Sequence, residues 1–143
     1  MPPVPVAGPG AGSGQARCVA ASAVRAKKQD WARQRLDLGK VRAYGSGEGA
    51  TVAVIDTGVA PGAAGLKGRA KAGDGASEDC AGHGTFVAGL VAGAADGSPD
   101  LGGVAPQAEV LGLRGTDSLG RPDAARIASA VRAATSAGAD VIT

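Results

Sequence analysis

The chain has 143 residues, the length of one ordinary domain, and a net charge of +2 with Lys and Arg spread along it, so no nucleic-acid stripe or basic membrane face is indicated. Its 44% hydrophobic content comes mostly from Ala, Val and Leu, because Trp31, Tyr44 and Phe86 are its only aromatic residues. A core of small residues in close layers follows, and 25 glycines favour an α/β protein with many tight turns over a helical bundle.

Residues 1–16 are rich in Pro and Gly, carry no hydrophobic periodicity, and predict a disordered leader. They lack both the basic start and the sustained apolar stretch of a signal peptide. No run of about 18 apolar residues occurs anywhere, so no membrane anchor is expected. Residues 17–48 read as an N-terminal extension. Within it, 26–36 holds good helix formers, with Trp31 and Leu36 spaced to dip toward a body surface, and the Gly-Ser-Gly-Glu-Gly of 45–49 breaks the pattern.

The third segment, 49–143, alternates strands and helices. Residues 51–55 are a continuous apolar, largely β-branched run, which predicts a strand buried on both faces of a parallel sheet. Gly-rich loops follow over 57–82, with a weak strand near 69–72. Residues 83–95 place Phe86, Val87, Leu90 and Val91 at helical spacing and predict a helix with a small-residue back face. A second strand is expected over 108–113 and a polar loop over 114–120. Asp123 is placed to cap a helix that carries Ile127 and Val131 and ends before Gly138. Residues 140–143 open a third strand, and a chain that stops there reads as a fragment. Strand, helix, strand, helix, strand is the order of an α/β fold with a parallel sheet.

Two segments carry chemistry. Asp56 closes the first strand in Asp56-Thr57-Gly58, where open α/β sheets place their sites, although a strand-end Asp can also merely cap the next turn. His83, the only histidine, lies between Gly82 and Gly84 at a helix start, where backbone and substrate can approach the ring closely.

Together these segments resemble the subtilisin-like serine proteases, the subtilases. That family places a triad Asp in a strand-end Asp-Thr-Gly and a triad His in His-Gly-Thr, followed here by Phe86-Val87-Ala88-Gly89. Gly102-Gly103-Val104-Ala105-Pro106 and Asp140-Val141-Ile142 resemble two further family segments in the family's order. The resemblance implies the N-terminal part of the subtilisin-like three-layer fold, with 49–143 a partial catalytic domain truncated before the catalytic Ser segment. It implies acyl transfer to a serine, with His83 as general base and Asp56 as its orienting partner. Ser118, Leu119 and Gly120 align with the family's substrate-pairing loop, and a plain surface turn is the alternative for them. The nucleophilic Ser and the oxyanion Asn belong to family segments beyond Thr143, so this chain alone should be inactive.

Within the family the extension is most similar to that of the mycosins, the subtilases associated with actinobacterial type VII secretion. The carrying features are Trp31-Ala32-Arg33-Gln34-Arg35-Leu36, Cys18 before it, and Cys80 three residues ahead of His83. The resemblance implies a polypeptide substrate, type VII secretion components as partners, and a place at the cell envelope or outside the cytoplasm. Composition alone leaves Cys18 and Cys80 as two free thiols or one long-range bridge. Their positions in the extension and beside the histidine favour a disulfide that braces the extension against the site.

Other readings compete. Asp56-Thr57-Gly58 is also the signature of aspartic proteases, which require an all-β chain. Cys80 and His83 have a Cys-x-x-His spacing with Asp79 adjacent, yet no second ligand pair exists and no metal or other cofactor is expected. The glycines of 8–14 follow no strand and lack the Lys of a phosphate loop. A degenerate subtilase acting as a non-catalytic binding or scaffold protein remains the main alternative.

Overall fold

In a computed structural model of the chain, residues 18–19, 27–66, 68–96, 101–117 and 119–143 are described. The leader expected over 1–16 and the first residue of the helix expected from 26 lie outside them. The elements run α1 (Trp31–Leu36), α2 (Leu38–Tyr44), β1 (Thr51–Asp56), β2 (Ala70–Ala72), α3 (His83–Ala92), β3 (Glu109–Arg114), α4 (Ala124–Ser136) and β4 (Val141–Ile142).

The four strands form one sheet in the order β2-β3-β1-β4, and every pairing is parallel. β1 pairs with β3 along its whole length, from Thr51 opposite Glu109 to Asp56 opposite Arg114. Alternate residues of β1 face opposite sides, so both faces need cover. Val52 and Val54 pack with Val59, Leu66, Ala88, Ala92 and Val110 on the α3 side. Ala53 packs with Leu113, Ala130 and Ala134 on the α4 side. The result is the helix–sheet–helix layering that the sequence resemblance implies, and α3 and the parallel sheet remove the aspartic-protease reading.

Which helix faces are buried differs from the sequence expectation. In α3 the buried residues are Gly84, Ala88 and Ala92, with Val87 and Val91 of the expected face packed half-buried against the same core, while Phe86 is 64% exposed. In α4 they are Ala130 and Ala134, while Ile127 and Val131 stand exposed. Small residues win because they let the helix backbones sit close on the sheet. Helix α3 also stops at Ala92, ahead of the expected 95. Arg69 sits against this end, its guanidinium donating to the carbonyls of Ala92, Pro106 and Gly65.

The extension also differs. The helix expected over 26–36 starts only at Trp31, where Asp30 accepts a hydrogen bond from the Arg33 N–H at 2.8 Å as N-cap. Asp37, at φ 48°, ends α1 and caps the unforeseen α2. Trp31 and Leu36 do not dip toward the body: they are 81% and 56% exposed. The anchors are instead Leu38, at 2% exposed, and Arg42, which donates to the Gly103 carbonyl. The Gln107 N–H donates to the Ser46 carbonyl at 2.9 Å. Among the described residues no helix is long and apolar enough to cross a membrane.

Candidate active site

The site forms where β1 ends and α3 begins. β1 delivers Asp56 at its carboxyl end, and the chain then turns sharply through Gly58 at φ 116°. A Cβ at Gly58 would stand 2.7 Å from the Glu78 carbonyl oxygen and 2.8 Å from that of Ala76. Opposite it, a Cβ at Gly84 would fall 2.0 Å from the Gly58 oxygen and 3.0 Å from the Asp56 Cβ. Glycine on both sides of the contact is therefore what lets the first turn of α3 rest on the end of β1. That approach brings His83 to Asp56 across 27 positions of sequence.

The His83 Nδ1 lies 2.8 Å from Asp56 Oδ1 and 2.9 Å from Oδ2, and the Thr57 N–H donates to Oδ1 at 2.7 Å. An ionised carboxylate can only accept, so Nδ1 carries the hydrogen and the lone pair of the neutral ring sits on Nε2. The hydrogen bond to Asp56 and its negative charge raise the His83 pKa above the usual 6.5. The ring is 66% exposed, whereas the Asp56 side chain is 19% exposed, so the acid is sheltered and the base faces outward.

The ring borders an open cleft of about 450 Å³ whose walls include Ile55, Thr116, Leu119, Gly120, Pro122 and Ile127. Of the three loop residues expected to meet substrate, Leu119 and Gly120 line this cleft. Ser118 lies outside the described residues. The loop is a tight turn closed by Asp117, whose carboxylate accepts from the Leu119 and Arg121 N–H groups and pairs with the Arg121 side chain at 2.8 Å.

Cys18 and Cys80 are joined in a disulfide, with Cα atoms 4.2 Å apart. The Val19 N–H donates to the Cys80 carbonyl at 2.9 Å and reinforces the crossing. With its sulfur in that bond, Cys80 is not available as a metal ligand beside His83.

Two groups take roles that sequence reasoning did not assign them. The Asp79 carboxylate, in the loop just before α3, accepts from Thr57, Gly82 and Thr85. The Thr85 hydroxyl accepts from the Ala60 N–H at 2.9 Å, tying α3 to the turn after Asp56. The signal available for Asp79 was an acid shortly before a helix whose N-cap position is Gly82, a residue with no side chain to cap it.

The profile of the Subtilase family matches residues 47–143. Mycosin-4 of Mycobacterium tuberculosis is 39% identical over 125 residues, covering 76% of this chain and 27% of its own length. Thermitase of Thermoactinomyces vulgaris is 33% identical over 102 residues, covering 67% of this chain and 37% of its own. Among solved structures, the MycP3 protease of the type VII (ESX-3) secretion system superposes with a TM-score of 0.61 at 34% identity, covering 77% of this chain and 34% of that one. MycP1 of the ESX-1 system gives a TM-score of 0.68 at 26% identity, covering 90% and 40%. The chain thus spans about a quarter of the length of the mycosin it matches.

Proposed function

Since the chain belongs to the subtilase family, we propose that Asp56 and His83 are two members of a Ser-His-Asp triad in a mycosin-type serine endopeptidase. The observation that carries this reading is the 2.8 Å contact between Asp56 and the His83 Nδ1. His83 Nε2 takes the proton of an attacking serine hydroxyl and returns it to the leaving amine. Asp56 fixes the tautomer and stabilises the imidazolium, which is the form its charge favours. A polypeptide backbone runs along the cleft past Leu119 and Gly120, with Ser118 as the third residue of that pairing loop.

Neither residue is a nucleophile, and none of the 143 residues lies in a Gly-Thr-Ser segment of the family's kind. The 143-residue polypeptide by itself is therefore inactive. The relatives named for type VII secretion systems motivate the remainder of the proposal: a polypeptide substrate, secretion components as partners, and action at the cell envelope. A disulfide between Cys18 and Cys80 supports an oxidising compartment.

The test has two arms. The 143-residue chain should give no fluorophosphonate labelling above its His83→Ala variant, and labelling above that control overturns the reading. The nucleotide sequence after codon 143 should continue into a Gly-Thr-Ser segment. The polypeptide so completed should hydrolyse peptides, with a loss of about 10⁶ in kcat on His83→Ala, as in the subtilisin case. A completed polypeptide indifferent to that substitution would favour a non-catalytic binding protein.

A further inference from the structure

Between Asp56 and His83 the chain buries part of a second carboxylate for which the triad has no use. Asp79 Oδ1 accepts from the Thr57 hydroxyl at 2.6 Å and from the Gly82 N–H at 2.9 Å, and Oδ2 accepts from the Thr85 N–H at 2.7 Å. The Thr57 hydroxyl in turn accepts the Gly84 N–H at 3.0 Å, while the Thr57 backbone N–H donates to Asp56. One carboxylate thus grips the residue after the acid and the residues on both sides of the histidine.

We propose that Asp79 is the positioning residue of the Asp56–His83 pair, acting through the Thr57 hydroxyl, an inference that rests on the protease reading above. The exposed His83 ring has little packing of its own to orient it, so its placement depends on where the first turn of α3 sits against the end of β1. A site of this kind tolerates an error of only about 0.5 Å. Four groups converge to set that distance: the Thr57 hydroxyl and the N–H groups of Gly82, Gly84 and Thr85. Each of the four is satisfied by Asp79 or by the hydroxyl that Asp79 holds. Partial burial opposes the charge of Asp79, but the bonds from Thr57, Thr85 and Gly82 outweigh it and keep its carboxyl below the usual pKa. The loop that carries it is also fixed from β3, since Arg114 donates to the carbonyls of Gly75 and Glu78. A cap that served only the stability of α3 would not need the hydroxyl relay to Thr57, the residue whose backbone N–H holds Asp56.

Because His83 is the only histidine, its ring signals in an NMR titration of the 143-residue chain are identified without assignment. The carboxylates acting on the ring are Asp56 and, more weakly, Asp79. Thr57→Val keeps the Asp79 charge and removes the relay. It should lower the His83 pKa toward that of the Asp56→Asn chain and speed exchange of the Nδ1 proton by about tenfold through local opening, with the circular dichroism of a folded chain. Thr57→Ser should restore both readings, and Asp79→Asn should behave like Thr57→Val. An unchanged His83 in the Thr57→Val chain overturns the proposal, including where Asp79→Asn shifts the titration through lost charge alone or fails to fold. If Asp56→Asn itself leaves His83 unmoved, the dyad reading fails and not only the positioning role.

Discussion

Gly84 and Gly58 meet backbone to backbone, so closely that a single methyl group on Gly84 would lie 2.0 Å from the Gly58 carbonyl oxygen. Neither partner is a flexible side chain that could swing away. Gly84→Ala should therefore push α3 off β1 and cost at least about 1–3 kcal/mol, as overpacking does. Thermal unfolding followed by circular dichroism checks this, with an expected drop of roughly 2–12 °C. The surviving folded fraction should show His83 titrating closer to its ordinary value.

The pH dependence of stability follows from the raised His83 pKa. The folded state binds the histidine proton more tightly than the unfolded chain does. The contribution is therefore fully present below the unfolded value of 6.5 and is lost as pH rises through the folded value. Urea midpoints should fall from pH 6 toward pH 9 in the parent chain, and Asp56→Asn should flatten that fall. A midpoint insensitive to pH in both chains would deny the ion pair a role in the fold.

Asp79 gives the opposite sign in the acid range. Its carboxyl is held below the usual 3.8, so its contribution is present above that pH and disappears as pH falls through the lowered folded value. Between pH 5 and pH 2 the parent chain should lose stability more steeply than Asp79→Asn does, and acid titration of the circular dichroism signal measures the difference.

The Cys18–Cys80 bridge closes 62 positions of sequence. Loop-entropy arguments give such a closure about 4 kcal/mol, much of a small domain's stability. Cys18→Ser with Cys80→Ser should lower the urea midpoint by a corresponding amount, and the native parent should show no thiol reactive to a colorimetric titrant. Two reactive thiols in protein from an oxidising compartment would refute the bridge.

Arg69 collects the carbonyls of Gly65, Ala92 and Pro106 on one guanidinium, joining the loop before β2, the end of α3 and the turn before β3. Arg69→Met keeps much of the side-chain stem but removes this donor from the carbonyls of Ala92 and Pro106, leaving Gly65 its bond from the Ala94 N–H, and should cost about 2–3 kcal/mol. Arg69→Lys should recover only part, since one ammonium cannot reproduce the fork.

Period and position made the central architecture readable. Val52-Ala53-Val54-Ile55 has no alternation because both faces are covered, and Asp56 and His83 stand at element ends where chemistry concentrates. The burial of the helices was not readable, because hydropathy ranks Phe86 and Ile127 above Gly84 and Ala130, whereas close approach to a sheet selects for the absence of bulk. The same bias directed the extension toward Trp31 and past Leu38. Asp79 was hidden for a different reason. Its partners are a hydroxyl 22 positions away and backbone N–H groups, so its one local sign was an acid shortly before a helix whose cap position, Gly82, has no side chain.

The all-parallel order β2-β3-β1-β4 has a consequence for the chain as it is being made. β1 is the first strand to leave the ribosome, yet its partners begin only at Glu109 and Val141. At ribosomal rates of 5–20 residues per second the nascent Val52-Ala53-Val54-Ile55 stretch is without a partner for about 3–10 s. The stretch is apolar, β-branched and free of Pro and charge, the makeup of an aggregation-prone segment. Asp56 ends it with a negative charge, so a residue proposed to orient the histidine in the folded chain doubles as a gatekeeper against self-association during synthesis.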